Sequence, residues 1–176
     1  SKRLAAFCDV FCEKGYFTTA ESRMILNQGK LFNMTPKIHA EELHPTGGAE
    51  LAVAIGAASA DHLEHVSNAG IEALAGGETV ATLLPGVSFF LDHPYAPARK
   101  LIDAGAAVAL ASDFNPGSCM SYNMQMMMTI ACTQMRMTPE EAITAATFNG
   151  AAALKMSDHV GSIEPGRKAD MCVMNV

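Results

Sequence analysis

The chain has 176 residues, enough for one domain with a real core and too few to be read as two. Its formal charge of −6 is scattered along the chain, so no basic face recommends a nucleic-acid partner. No apolar run approaches membrane-spanning length and no basic-then-apolar leader is present, so the expectation is a cytoplasmic protein without a membrane partner. The five cysteines (Cys8, Cys12, Cys119, Cys132, Cys172) are odd in number and dispersed, which fits reduced thiols better than a disulfide framework. Hydrophobic residues make up 49% and aromatics only 6%, with Ala and Met abundant, which suits an α/β protein whose small side chains let helices lie close on a sheet.

In chain order, Leu4–Val10 reads as a strand, with Asp9, Glu13 and Gly15 at its exit. Thr18 and Glu21 form a capping box, and Met24, Ile25, Gln28, Leu31 and Phe32 recur at helical spacing until Thr35-Pro36 breaks the helix. Lys37–Ala40 follows as a brief strand, with Glu41, Glu42, Leu43 and His44 at its end. A helix reopens between Pro45 and Gly48 and runs to about Ala58, where the strand Ala58–Leu63 begins. Ser67 caps the next helix, which closes at Gly76-Gly77, and Thr79–Leu84 is an apolar strand stopped by Pro85-Gly86.

Pro94–Ala104 reads as a helix and Ala106–Ser112 as a buried strand that delivers Asp113 to its end, where Asn115-Pro116-Gly117 turns the chain. Met120–Met135 is a Met-rich helix. Thr138, Pro139 and Glu141 supply an N-cap, a proline at N1 and a capping glutamate for a helix to about Leu154. Gly161–Val176 departs from the rhythm, with a strand-like tail over Ala169–Val176.

Strand and helix thus alternate about five times, with connections short enough for βαβ units and a parallel sheet. That sheet is either doubly wound or part of a barrel. No Gly-x-Gly-x-x-Gly follows the first strand, which counts against a dinucleotide fold. Asp9, His39, Glu42, His62 and Asp113 all fall at carboxyl ends of strands, the end at which (β/α) barrels build active sites.

The chemistry of these residues stays open when each is taken alone. His39 and Asp113 suit a divalent ion such as zinc or iron, yet two ligands do not hold a catalytic metal, and each also reads as an ordinary hydrogen-bonding residue at a strand end. Glu42, three residues after His39, could handle protons or could be a solvated acid at a helix entrance. His62 could accept a proton or be a core histidine satisfied by backbone. His44, His65, His93 and His159 carry no assigned chemistry. The Met-rich run around Met124–Met128 reads as core or interface packing.

Several segments together carry a family resemblance. They are Lys-Ile-His-Ala-Glu-Glu-Leu-His (37–44), Gly-Gly-Ala-Glu-Leu-Ala (47–52), Ser-Ala-Asp-His-Leu (59–63) and Thr-Leu-Leu-Pro-Gly-Val-Ser-Phe (82–89). Ala-Ser-Asp-Phe-Asn-Pro-Gly-Ser (111–118), Met-Thr-Pro-Glu-Glu-Ala (137–142) and Gly-Ser-Ile-Glu-Pro-Gly-Arg-Lys-Ala-Asp (161–170) follow. In this order they resemble the carboxyl-terminal part of the imidazolonepropionases, metal-dependent amidohydrolases of histidine degradation.

The resemblance implies about five units of a TIM-like (β/α)8 barrel over residues 1–160, and over residues 161–176 the start of a return to a small β-sandwich. It implies His39 and Asp113 as metal ligands for one zinc or iron ion, and Glu42 and His62 as the acid–base pair. It further implies Asn115, Gly117 and Ser118 as substrate contacts. The implied reaction is hydrolysis of the cyclic amide of 4-imidazolone-5-propanoate to N-formimino-L-glutamate, with that small molecule as partner and a homodimer as the common assembly.

The family also carries a His-x-His on its first barrel strand, and no such pair occurs here. The expectation is therefore a partial site that needs the amino-terminal strands of the barrel. The alternatives are a non-catalytic scaffold that dimerises through the Met-rich helix, and a related amidohydrolase acting on another cyclic amide or an amino-purine.

Overall fold

The computed structural model describes residues 4–173. Short strands β1 (Phe7–Cys8) and β2 (Phe11–Cys12) lead into α1 (Thr19–Leu31), then β3 (Thr35–Pro36) and β4 (Ile38–Ala40). Next come α2 (Gly48–Ile55), β5 (Ser59–His62), α3 (Asn68–Ala75) and β6 (Val80–Leu83). The chain continues through α4 (Pro85–Leu91), α5 (Ala98–Ala104), β7 (Val108–Leu110), α6 (Met124–Gln134), α7 (Pro139–Ala146) and α8 (Phe148–Ala153).

The main sheet has the order β2-β4-β5-β6-β7 and every pairing in it is parallel. A doubly wound sheet reverses its strand order at a switch point. This sheet adds each new strand on the same side, as a barrel does. The choice left open by the sequence falls to the barrel.

Local chemistry explains the element ends. Both capping boxes form, Thr18 with Glu21 and Thr138 with Glu141, and Ser67 accepts the backbone N–H of Gly70. The core is built largely from aliphatic strand residues and alanines, among them Ile38, Ala40, Ala60, Ala81, Leu83 and Leu110, all at most 4% exposed. Small side chains let the α2 helix lie against β4: a Cβ at Gly48 would stand 2.8 Å from Ala40 Cβ.

The structure corrects several predicted boundaries. The first strand is interrupted after Cys8, where Asp9 Oδ1 accepts the Val10 N–H at 2.7 Å, and it resumes at Phe11–Cys12, beyond Val10. Thr35-Pro36, read as a breaker, pairs with Phe7–Cys8 as a short strand. Pro85-Gly86 does not simply stop β6. Proline tolerates the first helical position, and α4 starts on it. The helix expected over Pro94–Ala104 begins only at Ala98, and α6 begins at Met124 because Asn123 caps it, its Oδ1 accepting from Met126 N at 3.1 Å.

The long helix to Leu154 is broken at Thr147 (φ −120°, ψ −82°). The break lets α8 fold back, so that Ala153 packs on Val80 and Ala109 and Asn149 Nδ2 donates to Val108 O at 2.7 Å. Residues 169–173 form no strand and are exposed, and 174–176 lie outside the described residues.

The Ala40 contact sets a test. Gly48→Ala gains about 1 kcal/mol of helix propensity but forces overpacking, which costs about 1–3 kcal/mol. The variant is expected to unfold at lower urea concentration than the wild type; an equal or higher midpoint contradicts the close approach of α2 to β4.

Candidate metal centre and acid–base pair

Parallel register decides what meets at the carboxyl ends. Phe11 pairs with His39, His39 with Asp61, Asp61 with Thr82, and Thr82 with Ala109. In-register neighbours project to the same side of a sheet, so this row shares one face. On that face lies a cavity of about 590 Å³, bordered by Lys37, His39, Asp61, Thr82 and Asp113, and by residues of α7 and α8.

His39 is the centre of the polar cluster. Its Nδ1 lies 3.1 Å from the Asp9 carboxylate, and because a carboxylate only accepts, Nδ1 carries the hydrogen. Nε2 is left as the ring's free donor atom. A histidine with its second nitrogen fixed by a carboxylate is the arrangement that metal-ligating histidines adopt. The Asp9 hydrogen bond also raises the His39 pKa, against burial, with further help from the charges of Asp9, Asp61 and Asp113.

Asp9, His39 and Asp61 can each place a ligand atom within 4.8 Å of the others. Asp61 is already engaged: it accepts from Ser59 Oγ at 2.6 Å and pairs with Lys37 Nζ at 3.4 Å, while Lys37 also bonds Ser59 Oγ. Imidazole nitrogen with carboxylate oxygen suits zinc or iron, so the donor set fits a divalent ion. Asp113 borders the cavity with His39 but stands outside this tightest cluster.

Glu42 and His62 are brought together. His62 Nε2 lies 3.6 Å from Glu42 Oε2, and the His39 and His62 rings are 5.2 Å apart between centroids. Burial raises the Glu42 pKa, partly offset by His62. Burial opposes protonation of His62, yet Glu64 and then Glu42 outweigh it and the net shift is upward.

The loop expected to contact substrate is internally hydrogen-bonded. Asn115 Nδ2 donates to Asp113 O at 2.8 Å, to Asp113 Oδ2 at 3.2 Å and to Ser118 Oγ at 2.6 Å. Asn115 Oδ1 accepts the N–H groups of Gly117 and Ser118, both at 2.8 Å. Asn115, Gly117 and Ser118 therefore brace the turn that brings Asp113 to the cavity. Short polar side chains satisfy nearby backbone first, which is why an Asn-Pro-Gly-Ser turn closes on itself.

Residues that the sequence reading left without a role also shape the site. Buried Glu13 accepts from Leu43 N at 2.9 Å, His44 N at 3.2 Å and His44 Nδ1 at 3.0 Å, and so anchors the loop that carries Glu42. Lys37 was visible through alternation, since it is two residues before His39 on the same face. Glu64 gave no such signal. Strand-end residues Glu41, His62, Leu63 and Asp113 all have positive φ, between 48° and 83°. Such strain in non-glycine residues clusters at functional sites.

The family model of the amidohydrolase family matches residues 14–176. The chain belongs to the amidohydrolase family. It is 55% identical over 172 residues to an imidazolonepropionase of Bacteroides fragilis, covering 98% of this chain and 41% of that protein. It is 53% identical over 173 residues to an imidazolonepropionase of Geobacillus kaustophilus, with the same coverage of both. The chain thus spans about two fifths of the length of these curated relatives.

The fold is similar to that of a zinc-bound adenosine deaminase from Xanthomonas campestris (TM-score 0.73, 21% identity, 89% of this chain and 40% of that one). It is likewise similar to a triazine hydrolase variant (TM-score 0.75, 18% identity, 92% and 40%). Among the described residues no helix is long and apolar enough to cross a membrane, and all five cysteines are free.

Behind the cavity, Glu41 is fully buried and its Oε2 has no hydrogen-bond partner. Burial, with the charges of Glu50 and Glu13, outweighs hydrogen bonds from Gly47 and Ala49 and raises its pKa from 4.5 to about 7. The folded chain therefore holds this proton more tightly than the unfolded chain. Its contribution to stability is complete below pH 4.5 and is lost as pH rises to about 7. The loss is on the order of 3 kcal/mol. Urea unfolding across that range is expected to show the decline in the wild type and a flatter profile in Glu41→Gln; identical profiles contradict the assignment.

Proposed function

We propose that this chain carries part of the active site of a metal-dependent hydrolase that opens the cyclic amide of 4-imidazolone-5-propanoate to give N-formimino-L-glutamate. The observation that carries the reading is the meeting of His39, Asp113, Glu42 and His62 at the carboxyl ends of the parallel strands β4, β5 and β7. Identity above 50% to imidazolonepropionases over nearly the whole chain supports the substrate.

His39, through Nε2, and Asp113 would hold one zinc or iron ion. When bound, such an ion supplies Lewis acidity, polarising a carbonyl and making water a nucleophile near neutral pH. In the hydrolysis, water adds to the ring carbonyl carbon, the ring C–N bond breaks, and a proton must reach the departing nitrogen. Glu42 is suited to carry that proton, because burial raises its pKa above that of a free carboxyl and so eases its protonation. His62 Nε2, 3.6 Å from Glu42 Oε2, exchanges the proton with it. Asn115, Gly117 and Ser118 hold the Asp113 turn at the cavity mouth, where the loop would meet substrate.

The remaining ligands and substrate contacts belong to strands that the longer relatives supply. We read the whole enzyme as cytoplasmic, in keeping with the free cysteines.

The test is complementation. Mixed with the portion of the Bacteroides fragilis relative that this chain does not match, the protein is expected to hydrolyse 4-imidazolone-5-propanoate in preference to hydantoin or guanine. Asp113→Asn is expected to lower that turnover at least about 100-fold and to reduce bound metal. Unchanged turnover and metal content in Asp113→Asn contradict the ligand assignment, and preference for guanine contradicts the substrate.

A further inference from the structure

We propose that Glu64 is a positioning residue that fixes the tautomer and orientation of His62, and so decides which ring nitrogen faces Glu42. The inference rests on the reading of His62 as an acid–base group and goes beyond it by assigning the group that controls it.

His62 and Glu64 have side chains only 2% exposed each, and His62 Nδ1 lies 3.7 Å from Glu64 Oε2. Both atoms are buried without a hydrogen-bond partner. A buried carboxylate oxygen and a buried ring nitrogen left unpaired each cost free energy, and each is the other's available partner. The gap is longer than a formed hydrogen bond, and such contacts commonly tighten only when substrate binds. The other carboxylate oxygen of Glu64, Oε1, lies 3.4 Å from Ser88 Oγ on α4, whose single hydrogen has Pro94 O as its nearer acceptor at 3.0 Å.

The tautomer follows from donor and acceptor chemistry. A carboxylate offers no hydrogen, so the nitrogen facing Glu64 must supply one. With the hydrogen on Nδ1, Nε2 presents its lone pair to Glu42 Oε2, 3.6 Å away. In this state His62 Nε2 is the acceptor for a proton whenever the Glu42 carboxyl carries one. If the ring instead carried its hydrogen on Nε2, Glu64 would face a lone pair in a buried site, which is repulsive.

The backbone enforces the same placement. His62 (φ 83°) and Leu63 (φ 71°) are consecutive left-handed non-glycine residues just before Glu64, whose Oε2 lies 3.7 Å from His62 Nδ1. Leu63 N donating to Ala40 O at 3.0 Å and His65 N donating to Glu41 O at 2.9 Å hold that bend against its strain.

The test reads the ring directly, by 15N NMR of histidine-labelled protein at a pH that keeps imidazoles neutral. His62 is expected as the Nδ1–H tautomer in the wild type and in Glu64→Gln, whose amide oxygen still accepts. In Glu64→Ala it is expected to shift to Nε2–H, leaving Glu42 as the carboxylate it addresses. Nε2–H in the wild type or in Glu64→Gln overturns the proposal, as does Nδ1–H persisting in a folded Glu64→Ala. Should Glu64→Ala not fold, the first two spectra decide. Failure of the hydrolase reading is distinguishable, since it shows as absent imidazolone turnover in the complemented enzyme while the tautomer pattern stands.

Discussion

Parallel register across five strands is the constraint on which the site depends. It places Phe11, His39, Asp61, Thr82 and Ala109 in one row on the cavity face. A slip of one residue in β4 would turn His39 toward the helices and bring Ile38 or Ala40 into the cavity. The core guards against that slip: Ile38 and Ala40 are fully buried on the opposite face, and α2 lies too close to Ala40 for any residue but glycine at position 48. Packing on the helix side thus fixes chemistry on the cavity side.

The charges at the strand ends divide into groups that hold and groups left free to react. Asp9 holds His39, Lys37 and Ser59 hold Asp61, Glu13 holds the loop of Glu42, and Asn115 with Ser118 holds Asp113. What remains uncommitted is Nε2 of His39, the Glu42 carboxyl and the outer lone pairs of Asp113. Such a division is what preorganisation requires, because a ligand or a base must be aimed before the substrate arrives. Positive φ at Glu41, His62 and Asp113 marks where the backbone gives up local comfort to do the aiming.

Much of this was legible in the sequence, where the signal is local. Thr18 with Glu21 and Thr138 with Glu141 announce helix starts through side chain and backbone only three residues apart. Apolar runs ending in polar residues revealed the strand ends, and with them His39, Glu42, His62 and Asp113. The missed features depend on contacts distant in sequence. The break at Thr147 follows from α8 reaching Val80 and Ala109, and the engagement of Asp61 follows from Lys37 on the neighbouring strand. The turn's own hydrogen bonds, by which Asn115 braces Asp113, Gly117 and Ser118, were likewise not read from the sequence.

The central claim is that Asp9 fixes His39 by Nδ1 so that Nε2 is the metal-binding atom. A zinc titration followed by 15N NMR of the histidine rings tests it most directly. The account predicts that the His39 Nε2 resonance moves on zinc addition while Nδ1 keeps its hydrogen. A His39 ring that ignores zinc while another histidine responds, or one that binds through Nδ1, would contradict it.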